Sequence, residues 1–193
     1  MEKYLTEEEV SRLLSAPLDN TQKLLIQMGL ETGMRVSEIS GILARNINGN
    51  FIKIYDYKKN DWRTVVISDE LARSLKTYVS TTVGNHRGPR KLFGITERTI
   101  NNWLKEMFAQ AQLPAGKAHW HTFRHTFVRR CQHLGYDASF AVAQTGDSPE
   151  TILRYYGVPS LDDRLKELKS KPLYRNRDSS DFEVKGGTSD GND

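Results

Sequence analysis

The chain has 193 residues, 37% of them hydrophobic and 27% charged. No apolar run is long enough to cross a bilayer as a helix, and the composition excludes fibrous and low-complexity classes in favour of a globular domain with its own core. The net charge of +4 is uneven: from residue 176 onward five acidic residues face two basic ones, so the body before them carries +7, a balance that suits a polyanionic partner.

The single cysteine, Cys131, excludes an intrachain disulfide framework and suits a reducing cytoplasm, the expected location. Its helical neighbours Phe127 and Leu134 make it a packing residue. No signal peptide is read at the start of the chain.

In chain order, Thr6 and Glu9 have capping-box spacing and Leu5 can staple to Val10, so a helix is expected from the outset with no separate domain ahead of it. A second helix is predicted from about Asn20 to Thr32, stopped by Gly33. Gly33-Met34-Arg35-Val36-Ser37-Glu38-Ile39 then opens a short helix towards Leu43. Arg35 stands at the turn ahead of it, where it can point into a cleft, and Glu38, three residues on, can hold its guanidinium by a bidentate contact.

Phe51 to Tyr57 and Trp62 to Ile67 are β-rich runs around the polar tip Lys58-Lys59-Asn60-Asp61, a hairpin. A lysine at such a tip is either solvated or able to swing over a bound phosphate. Ser68 or Asp69 caps a helix whose Leu71, Leu75, Tyr78 and Val79 share a face. Gly84 to Lys91 is a basic loop carrying Arg87, Arg90 and Lys91; it either follows a DNA backbone or is a solvated connection. Thr96 caps a helix with Ile100, Trp103, Leu104, Met107, Phe108 and Ala111 in a 3.6-residue period, a core face rather than a base-stacking one.

Pro114-Ala115-Gly116-Lys117 leads into His121-Thr122-Phe123-Arg124-His125, on a helix that Gly135 ends. Residues spaced i and i+3 share a helix face. Here that face presents His121, which can exchange protons near neutral pH, and Arg124, whose permanently charged fork matches two phosphate oxygens. A short helix from about Asp137 to Thr145 stops at Gly146. Ser148-Pro149 starts another, Glu150 to Tyr156. Pro159 terminates it, and Ser160 starts a last helix with Leu161, Leu165 and Leu168, a candidate for docking on a neighbouring subunit or for packing on its own domain. The expected fold is mainly α with a small antiparallel β-sheet: one domain over residues 1–170, then a polar tail, 171–193, without the apolar content to order itself.

Taken together, Thr32-Gly33-Met34-Arg35-Val36-Ser37-Glu38, Lys58 ahead of Arg63-Thr64-Val65-Val66, His121-Thr122-Phe123-Arg124-His125 and Thr151-Ile152-Leu153-Arg154-Tyr155-Tyr156 resemble the catalytic domain of tyrosine recombinases, the phage-integrase family. The pieces fall in family order over roughly residues 5 to 160. The resemblance implies action on double-stranded DNA without metal, ATP or other cofactor, as a tetramer on two duplexes, in a prokaryotic, viral or mobile-element setting. It implies that a tyrosine attacks the scissile phosphate and conserves the bond energy as a 3′-phosphotyrosyl link. Arg35 and Arg124 would clamp the phosphate oxygens as negative charge develops. Lys58, with Lys59 as its competitor, would protonate the departing 5′ oxygen. His121 would accept a hydrogen bond or proton, and His125 would buttress the helix at the edge of the site. Arg63, Arg87, Arg90 and Lys91 are the candidate DNA-backbone contacts.

The nucleophile is either Tyr155 or Tyr156. Ile152, Leu153 and Tyr156 form an apolar set that should face the core, leaving Tyr155 with Thr151 and Ser148 on the other side. The family's Arg-Tyr ending also favours Tyr155, whereas the family's usual nine-residue interval from Asp147 lands on Tyr156; Tyr155 is preferred. Two features depart from the family. Asp147 stands where histidine or tryptophan is common, and a carboxylate there repels a phosphate unless protonated or turned away. The chain also starts where the family's catalytic domain starts, so recombination by this chain alone is not expected. Three rivals remain: a non-catalytic DNA-binding relative, a type IB topoisomerase-like enzyme, and a metal nuclease using His121 and His125, whose i, i+4 spacing suits a metal although Arg124 would repel one.

Overall fold

A computed structural model describes residues 3–57, 59–83, 90–156 and 161–170. The expectations placed on Lys58, Arg87, Ser160 and the 171–193 tail therefore lie outside the described residues. The chain divides into two units, Met1–Gly157 and Val158–Asp193. Among the described residues the fold is mostly helical with one three-stranded antiparallel sheet.

In the first unit, helix α1 (Glu7–Ser15) starts at the capping box read from the sequence, with Thr6 and Glu9 each accepting the other's backbone N–H. Helix α2 (Asn20–Thr32) begins at a second such box, Asp19 with Gln22. It ends at Gly33, whose φ of +60° is left-handed and suits glycine. Helix α3 (Val36–Gly41) follows at once.

The sheet holds β1 (Ile47–Asn48), β2 (Phe51–Asp56) and β3 (Asp61–Val66) in that order. The β2–β3 hairpin pairs Ile52 with Val65, Ile54 with Arg63 and Asp56 with Asp61. Alternation buries Ile52, Ile54, Asp56 and Val65 on one face and leaves Phe51, Lys53, Trp62 and Thr64 exposed on the other. The strand β1 was not foreseen; two residues leave no periodic signal.

Helix α4 (Asp69–Tyr78), capped by Ser68, runs into a π-helical turn over Val79–Val83. Helix α5 (Glu97–Gln110), capped by Thr96, buries Ile100, Leu104, Met107 and Phe108 as its periodicity predicts. Helix α6 (His121–His133) then joins two apolar clusters. Phe123 belongs to the larger one, built on α1, α2, α5 and the sheet. Phe127, Val128 and Cys131 belong to the smaller one, with Ala141 of α7 (Ala138–Thr145) and Ile152 of α8 (Pro149–Tyr156). Burial pushes the Cys131 thiol up to about 11, so it is an inert packing group. Leu153, expected in the core with Ile152 and Tyr156, is 52% exposed instead, because α8 is covered along only one side. In the second unit, helix α9 (Leu161–Ser170) carries Leu161, Leu165 and Leu168 at helical spacing.

Candidate active site

The α2–α3 turn and the α7–α8 turn bring their polar groups to the first turns of α6. Buried Trp120, just ahead of α6, donates its indole N–H to the Met34 carbonyl at 2.7 Å and pins the α2–α3 turn there. Arg124 of α6 is 3% exposed and fully engaged. Its Nη1 donates to the Gly33 carbonyl at 2.6 Å, its Nη2 to the Thr145 carbonyl at 2.8 Å and its Nε to Asp147 Oδ2 at 3.0 Å. Both carbonyls come from the C-terminal ends of helices, where unpaired oxygens attract a cation.

Arg35 reaches the same carboxylate. Glu38 holds it as the spacing predicts, though not by a fork-to-fork contact: Oε2 accepts the Arg35 backbone N–H at 2.6 Å and Oε1 accepts Nη1 at 3.1 Å. Nη1 also reaches Asp56 Oδ2 at 3.3 Å, and Nη2 reaches Asp147 Oδ1 at 2.9 Å. That same Oδ1 lies 2.6 Å from Arg124 Nη2. One carboxylate oxygen is therefore shared by two guanidinium groups that start 89 residues apart in sequence. Burial pulls the Arg35 guanidinium down, but Glu38, Asp147 and Asp56 together outweigh it and raise it. Burial likewise pushes Asp147 up, and the hydrogen bond and charge of Arg124, with the charge of Arg35, overcome it and hold the carboxyl below its ordinary value.

Beside this cradle lie the imidazoles and the Tyr155 phenol. His121 and His125 pack edge to face with ring centroids 4.4 Å apart. Burial, followed by the charge of Arg124, lowers His121. His125 is pushed down to about 4, mainly by burial and next by His121, so it is neutral at physiological pH. Its Nδ1 hydrogen-bonds the Tyr155 hydroxyl. The histidine expected to buttress the helix is thus the one that touches a phenol. Tyr155 is raised by burial first and then by the charge of Asp147, with Arg124 opposing. The Tyr156 hydroxyl is buried without a hydrogen-bond partner among the described residues, and burial pushes it up to about 12. Of the two tyrosines, only Tyr155 faces the histidines and feels the cradle's charges.

The remaining expected residues are placed less uniformly. Arg63, expected against DNA, points inward: its guanidinium spans both oxygens of Glu38 and reaches the Gln144 carbonyl at 3.3 and 3.2 Å. Strand alternation put it on the same face as Val65, a signal present in the sequence. Lys59 is exposed at the hairpin turn, with its N–H on the Asp56 carbonyl. Arg90 and Lys91 are exposed, on a segment that runs antiparallel to Ile42–Ala44.

Three buried polar groups were not singled out from the sequence. Asp56 lies against Arg35 and Arg63. Gln144 accepts the Val66 N–H and donates to the Val66 carbonyl, both at 2.8 Å, pairing with β3 as a strand would. Lys117, ahead of α6, is buried on both Glu9 oxygens. A groove of about 670 Å³ lined by Leu30, Leu71, Phe127, Cys131, Leu134 and Phe140 contains none of the cradle residues. Among the described residues no three His, Cys, Asp or Glu side chains are gathered to hold a metal ion, and no helix is long and apolar enough to cross a membrane.

Residues 3–158 match the model of the phage integrase family. The tyrosine recombinase XerA of Saccharolobus solfataricus is 28% identical over 167 residues, covering 86% of this chain and 55% of that protein. The catalytic domain of bacteriophage HP1 integrase superposes with a TM-score of 0.64 at 24% identity, covering 89% of this chain and 98% of that structure. The XerH site-specific recombinase bound to its difH substrate superposes with a TM-score of 0.69 at 20% identity, covering 88% of this chain and 54% of that one. At such identities the structural likeness shows a shared fold, and the chain spans little more than half the length of XerA and XerH.

Proposed function

Because the chain belongs to the phage integrase family, we propose that it is the catalytic domain of a site-specific recombinase, cutting and rejoining double-stranded DNA as a tetramer on two duplexes. One observation carries this reading: Arg35 Nη2 and Arg124 Nη2 meet on a single oxygen, Asp147 Oδ1. That oxygen stands in for a non-bridging oxygen of the scissile phosphate.

With a phosphate seated there, the attack is assigned to Tyr155, the phenol that lies against His125 and feels the charges of Asp147 and Arg124. Its oxygen forms the bond to phosphorus while the bond to the 5′ oxygen breaks. The two guanidinium groups hold the negative charge that builds on the equatorial oxygens, and loss of either costs roughly 10²- to 10³-fold in rate, by analogy with single oxyanion donors. The Tyr155 hydroxyl donates to His125 Nδ1, which takes its proton as the bond to phosphorus forms, and His121, within electrostatic reach of Arg124, Asp147 and Arg35, is assigned the hydrogen bond or proton from the phosphate. Lys58, or Lys59 in a shifted register, supplies a proton to the departing 5′ oxygen. Covalent bond energy is stored in the phosphotyrosine, and reversal by another strand's 5′ hydroxyl completes the exchange.

The reading is tested with a library of nicked duplexes of random sequence, from which protein–DNA adducts resistant to denaturation are recovered. Adducts are expected from the unaltered chain and from Tyr156→Phe, and none from Tyr155→Phe. An adduct that persists in Tyr155→Phe and disappears in Tyr156→Phe overturns the nucleophile assignment. The carboxylate already filling the cradle favours a second reading, a DNA-binding relative without strand transfer; duplex binding with no adduct from any variant supports that one.

A further inference from the structure

The seat between Arg35 and Arg124 is occupied by the chain itself. Asp147 places Oδ1 against both guanidinium groups and Oδ2 against Arg124 Nε, the two-oxygen engagement that a phosphate offers an arginine pair. A phosphate and this carboxylate cannot hold the same donors together. We propose that Asp147 is an internal competitor for the phosphate seat, so that it sets the site's affinity for phosphate and must rotate out before DNA is engaged. This inference rests on the reading above that the cradle seats a DNA phosphate.

The surroundings fit an exchange of occupants. Arg124 is fixed by two backbone carbonyls and its side chain is 4% exposed, so it stays in place. The side chains of Asp147 and Arg35 are 21% and 27% exposed, so the mouth of the seat is on their side. The backbone under Asp147 is held: Gly146 donates its N–H to the Val142 carbonyl at 2.8 Å and Asp147 donates its own to Thr145 Oγ1 at 3.2 Å. Exchange is therefore a rotation of one short side chain and leaves the turn in place. The residue that vacates the seat also lies immediately ahead of α8, which carries Tyr155. Releasing Asp147 from the cradle thus alters the negative charge beside Tyr155 in the same movement that admits the phosphate.

The test uses the full chain and inorganic phosphate, titrated at constant ionic strength and followed by calorimetry and by the arginine side-chain N–H resonances. Asp147→Asn is expected to bind phosphate roughly ten- to a hundred-fold more tightly than the unaltered chain, the scale of a charged hydrogen bond no longer displaced. The gain should be lost when Arg35→Lys is added. Asp56→Asn removes the same charge from beside Arg35 without vacating the shared seat, and its gain should be far smaller. Equal affinities for the unaltered chain and Asp147→Asn, or equal gains from the two aspartate variants, overturn the proposal. If Asp147→Asn melts too early to titrate, the unaltered chain decides: phosphate must shift the Asp147 carboxyl resonance together with those of Arg35, and binding at Arg35 with the Asp147 resonance unmoved overturns it. Neither readout needs DNA cleavage. Tighter phosphate binding without any DNA adduct sinks the strand-transfer reading and keeps this one; adducts with unchanged phosphate affinity do the reverse.

Discussion

Replacing Lys117 by methionine removes one partner of a buried ion pair that anchors α1 to the start of α6. The lysine Nζ lies 2.8 and 2.7 Å from the two Glu9 oxygens, and the side chains are only 7% and 11% exposed. Breaking a buried pair from one side leaves the other charge without compensation, at a cost of about 3–5 kcal/mol. Glu9 keeps the Thr6 N–H at 2.8 Å and has some access to solvent, which argues for the lower end, about 3 kcal/mol. For a unit of this size that lowers Tm by roughly 6–12 °C. Adding Glu9→Gln should restore most of the loss, since removing both charges avoids the unpaired one. Differential scanning calorimetry of the three proteins checks this. A Lys117→Met protein that melts with the unaltered chain, or a double variant no better than the single one, refutes the reasoning.

The same pair predicts a pH dependence. Burial pushes Glu9 up, but the Lys117 bond and charge and the Thr6 N–H outweigh it, so the carboxyl lies below its usual 4.5. A lowered carboxyl contributes stability that is present above its unfolded value and lost as pH falls through the folded one. The unaltered chain should lose stability more steeply below about pH 5 than Glu9→Gln/Lys117→Met, as measured by Tm against pH. Gly33→Ala forces a side chain onto a left-handed φ of +60° with its Cβ 2.6 Å from Phe127 Cδ1; about 2–4 kcal/mol of destabilisation is expected in urea unfolding. Because Gly33 carries a carbonyl on Arg124, phosphate affinity should fall with it. Gln144→Leu strips both partners from the Val66 backbone, at about 2 kcal/mol, read by hydrogen exchange along β3. Tyr156→Phe deletes a hydroxyl without a partner among the described residues and should leave Tm unchanged or slightly raised.

What the sequence alone determined here is the local geometry. The box at Thr6/Glu9, the caps at Ser68 and Thr96 and the stops at Gly33 and Gly146 all act within a few residues, and each marks a helix end in the structure. Alternation placed the hairpin, and the three-residue spacing placed Glu38 on Arg35. The family pattern pointed to Arg35, His121, Arg124 and Tyr155 as candidates.

Tertiary structure alone chose the partners. Glu9 finds Lys117 across 108 residues, Gln144 finds Val66 across 78, and Asp147 reaches Arg35 across 112. No periodicity encodes such pairs, because a charge or amide in a folded interior takes whichever opposite group packing brings within reach. For the same reason Arg63, expected against DNA, is half-buried on Glu38, and His125 lies against Tyr155. Whether Asp147 stood beside the two arginines or between them depended on where those distant groups met. Their meeting was decided by helices α2 and α7 each packing against α6.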